Sequence, residues 1–372
     1  MSEYQHYEFQ ALDNPLTKEE LSYVRGLSSR VELTSNKVVF VYNFGDFKVN
    51  PQQLVERCFD AMLYQASFGV QQVIFRFPRS LLNPTLFDPY CVPYFLTVST
   101  TPAHTLLNLK ITEEEGLGWI REEDWLTKLV PLRDDLLRGD LRMLYLAWLI
   151  AIQVDPENND EDLIEPPVPP NLGNLSPALG SFVDLFGLDE DLINAAAESS
   201  PFEEEESEPL EAWIAALSEA ERNDFLARLA RGETHVASQL VQRLRQLNQQ
   251  PRAMAQPEPS RRSLADLMAI ALIQEKTRKT REQQISRQVR VAQLEALAPK
   301  EPAMWQEVSR LIELKQTKAY DQAIEYLIDL RDLAEQQGTL PQFIARIKKM
   351  RDDYSSRSGL MSRLQQAWLL KD

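Results

Sequence analysis

Glycine is scarce, 12 in 372 residues, which argues against folds built on many tight turns or on glycine-rich phosphate loops. Neither Gly-x-x-x-x-Gly-Lys-Ser/Thr nor Gly-x-Gly-x-x-Gly occurs, so nucleotide cradles have no support. Cysteine is rarer still. Cys58 and Cys91 can form neither a disulfide framework nor a zinc site on their own. His6, His104 and His235 are scattered, so no metal-ligand spacing is present and no metal or cofactor is expected. No Gly-x-Ser-x-Gly elbow occurs either. The longest apolar run, Met143 to Ile152, is ten residues, too few to span a bilayer, and predicts a buried helix. The polar start Met1-Ser2-Glu3-Tyr4 has no basic and apolar leader pattern. With the cysteine usage, this predicts a cytoplasmic protein without a membrane partner.

One absence is local. Residues 155–221 contain 19 Asp and Glu and no Lys or Arg. The net charge of the chain is −16, so everything else sums to about neutral. Such a stretch, with Pro166–Pro170 reading Pro-Pro-Val-Pro-Pro, predicts an extended, self-repelling linker. It carries two short capped helices. Ser176-Pro177 starts one through Leu179, Phe182 and Phe186, stopped by Gly187; Asp189 caps another through Leu192 and Ile193.

What is there before the linker is a mixture of periods. Tyr7–Leu12, Val31–Thr34, Lys37–Phe44, Gln72–Phe77, Tyr94–Ser99 and Thr105–Ile111 are rich in Val, Ile, Phe, Tyr and Thr and predict strands. Val73, Phe75 and Phe77 share a face and predict core rather than an RNA-binding sheet. Thr17 with Glu20 is a capping box, and Leu54, Cys58, Ala61 and Met62 place a second helix from about Pro51 to Ala66. Gly139 stops a helix over 130–138, Asp140 caps the next, and Asp134 is spaced to pair with Arg138. The fold class is therefore α+β: an N-terminal α/β sandwich with a mostly antiparallel sheet over 1–154, an acidic linker over 155–209, a small helical bundle over 210–250, and over 251–372 a long helix followed by helical hairpins. In the bundle, Ser218 with Glu221 and then Thr234 supply caps. The long helix runs from Ser263 to about Leu297, about 50 Å. Pro299 and Pro302 break it. Trp305, Tyr320, Phe343 and Trp368 each belong to one helix of the hairpins.

Several strings resemble a bacterial protein family of similar length that has no assigned activity: Tyr7-Glu8-Phe9-Gln10-Ala11-Leu12, Phe59-Asp60-Ala61-Met62, Phe75-Arg76-Phe77-Pro78, Val130-Pro131-Leu132-Arg133-Asp134-Asp135 and Asp329-Leu330-Arg331-Asp332-Leu333. The C-terminal hairpins also look similar to helical segments of bacterial proteins that carry SWIM-type zinc fingers, whose zinc ligands are absent here. The resemblance implies no catalytic residue.

The candidate site is the basic stretch 276–290. Lys276, Arg278, Lys279, Arg281, Arg287 and Arg290 face one acid, Glu282, giving +5 over 15 residues. It can contact phosphates, fold onto the acidic stretch of its own chain, or remain a solvated arm. Without interleaved aromatics it lacks the stacking that single-stranded nucleic acid needs. Together these features point to a non-enzymatic adaptor or scaffold that binds a protein partner through helical hairpins. The alternative is an accessory factor of a nucleic-acid machine, contacting phosphates through this helix.

Overall fold

Alternating apolar residues lay down the first strands. In the computed structural model, which describes residues 4–28, 31–43, 45, 47–112, 124–155, 163–203, 210–232, 236–247 and 262–367, these become β1 (Gln5–Gln10), α1 (Lys18–Arg25), β2 (Val31–Leu33), β3 (Lys37–Tyr42), α2 (Pro51–Cys58), β4 (Ala61–Ala66), β5 (Val70–Pro78), β6 (Leu96–Thr100) and β7 (His104–Thr112). Phe44 lies outside the described residues. The sheet runs β2-β3-β1-β4-β5-β7-β6 with every pairing antiparallel. Register assigns the faces. Tyr7 opposes Phe40 and Tyr64, so these three point one way. Leu63 opposes Val73, which opposes Leu109, and these point the other way.

The first face, with Phe9, Val38, Phe40 and Ile74, is covered by Val24 of α1 and Leu54 and Val55 of α2. The Thr17 capping box forms as expected. The helix predicted through Ala66 instead ends at Cys58, and residues 61–66 form a central strand. The reason is Asp60: its Oδ2 accepts from the backbone N–H groups of Leu12 and Asp13 at 2.7 and 3.0 Å, which turns the chain into the sheet. Because β4 is buried on both sides, it lacks the alternation that marks a half-exposed strand.

The second face holds Val73, Phe75, Phe77, Leu107 and Ile111, as the alternation predicts. Over it lie α3 (Trp125–Leu129), α4 (Pro131–Arg138) and α5 (Arg142–Val154), whose residues Met143 to Ile152 are all buried. A helix apolar all round belongs inside a domain. Gly139 takes the left-handed C-cap. The N-cap of α5 is Leu141, not the expected Asp140, which stands one residue earlier and accepts from Arg142 N through Oδ1 at 3.0 Å. Arg138 pairs with Asp135 at 3.4 Å; Asp134 is exposed.

The acidic stretch departs from expectation. Its residues 163–203 are not an extended spacer. Helices α6 (Pro177–Phe186) and α7 (Glu190–Ala197) bury Leu179, Phe182, Phe186, Leu192 and Ile193 in the same core as β5 and α5. Gln71 of β5 donates to the carbonyl of Leu185 at 3.2 Å, and Tyr90 donates to that of Pro167 at 2.9 Å. The acids do not oppose this packing. Asp184 and Glu190 are exposed, and Asp189 caps α7. Burying five large apolar side chains is worth roughly 1.5–3 kcal/mol each, more than diffuse surface repulsion at physiological salt removes.

Helices α8 (Leu210–Ala216), α9 (Glu219–Ala230) and α10 (Val236–Leu247) follow. They pack through Leu217, Val236 and Leu244, with Arg243 pairing Glu221 at 2.8 Å. Thr234 lies outside the described residues. The chain divides into two compact units, Met1–Glu275 and Lys276–Asp372. Helix α11 (Leu264–Leu297) begins in the first, where Leu264 and Leu267 are buried, and ends in the second. After a 3-10 turn at Ala298–Lys300 come α12 (Glu301–Glu313), α13 (Thr317–Gln336), α14 (Leu340–Asp353) and α15 (Ser358–Gln366). Their core is Trp305, Val308, Ile312, Ala323, Leu327, Phe343, Ile347, Leu360 and Leu364. Gly338, at φ 72°, makes the left-handed turn between α13 and α14 that a side chain would strain. Trp368 lies outside the described residues.

Candidate functional site

The six cations of the basic stretch do not share one surface. At about 100° per residue, Lys276, Lys279, Arg287 and Arg290 fall on one side of α11, in line with the buried Leu294. Arg278 and Arg281 fall on the far side, with Ile285 and Val289. Arg290 is engaged within the second unit: its Nη2 donates to Asp329 Oδ1 at 2.8 Å and to Asp332 Oδ2 at 2.6 Å. Arg331 donates to Asp332 as well, at 2.8 Å. Burial pushes the Asp332 carboxyl up, but the hydrogen bonds from Arg290 and Arg331 outweigh it and hold it below the usual carboxylate range. Arg278 donates to Glu282 at 3.1 Å, one turn on. Lys276, Lys279, Arg281 and Arg287 are exposed. The second unit carries 18 Lys and Arg against 13 Asp and Glu, a formal +5. The first carries 22 against 43, a formal −21.

Among the ionic clusters of the first unit, two join buried carboxylates to arginines far away in sequence. At one end of the sheet, Asp60 Oδ1 accepts from Arg76 Nη2 at 2.7 Å, while Arg133 forks onto Asp13 at 2.9 and 2.7 Å. Arg133 Nε also donates to the Arg76 carbonyl at 2.7 Å. Residues far apart in sequence, Asp13, Asp60, Arg76 and Arg133, thus meet here. The carboxylate lone pairs and guanidinium donors are spent on each other and on backbone. This is the chemistry of a structural joint between β1, β4, β5 and α4.

The second cluster closes on Glu165, 2% exposed. Arg262 donates to it through Nε at 2.8 Å and Nη2 at 2.6 Å, and Tyr145 donates its hydroxyl to the same carboxylate. Arg262 Nη1 also reaches the Ala195 carbonyl at 2.9 Å. Burial, then the Glu165 charge, push the Tyr145 hydroxyl far up, so it remains a donor. An antiparallel bridge pairs Ile164 with Ser263, and Leu264 N donates to the Leu163 carbonyl at 2.8 Å. Together these contacts fasten the start of α11 to the core of its own unit.

Cys91 is half-buried, bonded to the Phe87 carbonyl, and burial pushes its thiol up. Burial pushes the Cys58 thiol up to about 11. Burial, followed by the nearby Arg76 charge, lowers His104. Among the described residues, no group of three His, Cys, Asp or Glu is placed to hold a metal ion, and no helix is long and apolar enough to cross a membrane. His235 lies outside the described residues. A groove of about 710 Å³ is lined by Arg142, Asn171, Asn174, Ser176, Ser200 and Phe202. Its guanidinium is committed to Asp140 at 2.7 Å and to the Asn174 carbonyl at 2.9 Å.

Compared with protein-family models, curated proteins and solved structures, the chain matches none.

Proposed function

We infer that this chain is a non-enzymatic adaptor that binds a protein partner through α11 and the hairpins that follow it. One observation carries the reading. From Lys279 to Val289 every side chain of α11 is exposed, and Ile285 and Val289, one turn apart, stand 50% and 52% exposed. A helical span of this length has little stability of its own in water, and an apolar pair on such a span is what a partner helix covers. The α12–α15 array gives it a rigid neighbour. A cytoplasmic location accords with two free cysteines. Affinity capture with the full chain, followed by cross-linking, tests the reading. A stoichiometric partner should cross-link to residues 276–367, and Ile285→Glu with Val289→Glu should weaken capture about tenfold or more. Recovery of the bait alone, or capture that ignores the double substitution, would refute it.

A second reading, an accessory factor of a nucleic-acid machine, is supported by the +5 charge of the second unit and by the exposure of Arg281 and Arg287. It requires binding of a short DNA or RNA duplex that weakens steeply with added salt. No binding at low salt would dispose of it.

A further inference from the structure

The exposed apolar pair of α11 belongs to a longer seam. Ile285, Val289, Ala292 and Ala296 recur at alternating steps of four and three residues and fall within a sector of about 60°. All four are exposed. The buried Leu294 stands about 180° from Ile285. Arg290, bonded to Asp329 and Asp332 of α13, lies toward that far side as well. The hairpins therefore hold α11 by one side and leave the seam on the other. Alternating steps of four and three are the spacing with which two helices pack along their length.

Resting on the adaptor reading, which supplies this face, we propose that the helix covering Ile285 and Val289 is α11 of a second copy of this chain, packed antiparallel about a two-fold axis. Self-complementarity selects the occupant, because in such a contact each residue and its mate meet twice. With Ile285 opposite Val289 of the partner subunit, Glu282 lies over the partner subunit's Ala292 and Arg278 over the partner subunit's Ala296, large against small. Arg278 and Glu282 bond each other at 3.1 Å, so this end of the seam brings no net charge. A parallel pair would set Glu282 against Glu282 and alanine against alanine. Lys276, Arg287 and Arg290 point away from the seam, so two such helices meet without opposing these cations.

The flank of the seam points the same way. Arg281, Gln288 and Glu295 are exposed and form one edge of it, a heptad apart. An antiparallel two-fold turns each edge onto the same edge of the other copy. Gln288 then meets Gln288, and Arg281 meets Glu295 of the partner subunit, twice. Within one chain Arg281 and Glu295 stand two heptads apart, about 21 Å, beyond each other's reach. The dimer presents two α12–α15 arrays to a further partner, which strengthens capture without any new contact.

Sedimentation equilibrium of the full chain tests this, at roughly 5–200 µM because a seam of about five turns is a small interface. Monomer and dimer should both be seen. Arg281→Glu alone and Glu295→Arg alone each turn two attractions into two repulsions, and each should weaken dimerisation about tenfold. Arg281→Glu combined with Glu295→Arg in one chain should return it to within about twofold of wild type. Mixing the two single variants should restore it too, as a heterodimer. A parallel register or a general loss of fold gives no such rescue, and circular dichroism verifies that the variants keep their helix. Ile285→Glu with Val289→Glu should abolish the dimer. A monomer at every concentration, a dimer indifferent to both swaps, or losses that neither combination rescues would each overturn the proposal. A monomer whose capture of another protein still depends on Ile285 and Val289 would overturn it while leaving the adaptor reading intact. A dimer that behaves as described but captures nothing else would sustain it and remove the adaptor reading.

Discussion

Replacing Arg262 by methionine isolates the energetics of the Glu165 cluster. The methionine fills much of the aliphatic volume of the arginine but removes its two charge-assisted hydrogen bonds to Glu165, at 2.8 and 2.6 Å. Glu165, with its side chain 0% exposed, is then a buried carboxylate that has lost these two bonds and keeps the Tyr145 hydroxyl. Breaking a buried pair by removing one partner costs about 3–5 kcal/mol, and the surviving tyrosine hydrogen bond places this case near 3. For a unit of this size that lowers the melting temperature by about 6 °C. A second variant, Glu165→Leu with Arg262→Met, removes both charges and should recover most of the loss, because an apolar pair of similar volume is often neutral or better. Urea and thermal unfolding, with hydrogen exchange at 163–165 and 262–267, provide the measurement. Exchange should rise at both segments in Arg262→Met and fall back in the double variant. A single substitution costing under about 1 kcal/mol, or a double variant worse than the single, would refute the reasoning.

Phe182→Ala tests whether the acidic stretch belongs to the core: a fully buried phenylalanine at this site should cost about 3–5 kcal/mol, measured as a shift in urea midpoint, whereas a detached spacer would show none. Asp332 supplies a pH dependence. A carboxyl depressed in the folded state contributes stability above its unfolded value, about 3.9, and that contribution is lost as the pH falls through the lower folded value. Thermal unfolding of Asp332→Asn should therefore be flatter than wild type between about pH 4 and 2, and unchanged slopes would count against the Arg290 contact. The thiols of Cys58 and Cys91 are both held up by burial, so each should react with an alkylating reagent at pH 8 far more slowly in native than in urea-unfolded protein; equal rates would contradict the packing around them.

What could be read from the sequence is what local chemistry determines. The Thr17–Glu20 box, the Ser176 and Asp189 caps and the left-handed Gly139 and Gly187 each depend on residues within a turn of one another. The side-chain alternation of β5 and β7 places Phe75 and Leu107 on one face without knowledge of the partner strand. Ala61–Ala66 was opaque because a strand covered on both faces has no polar beat. The acidic stretch misled for another reason: the helix through Leu179, Phe182 and Phe186 is legible locally, but the core it packs into is built by residues of β5 and α5 far away in sequence. The Glu165–Arg262 and Arg290–Asp332 pairs join residues 97 and 42 apart. No local pattern announces such partners, and only the assembled fold brings them together.

The fastening of Arg262 onto Glu165 also sets a timetable for synthesis. The sheet is complete at Thr112, yet Leu264 and Leu267 finish one face of its core. About 150 residues separate the two events, so at roughly 5–20 residues per second the nascent chain waits on the order of ten to thirty seconds with that face incompletely covered. Throughout that interval Glu165 lacks the Arg262 guanidinium. Translation past Arg262 is therefore the step at which the first unit becomes a finished object, and a ribosome paused upstream of it leaves an apolar surface open to chaperones and to other nascent chains.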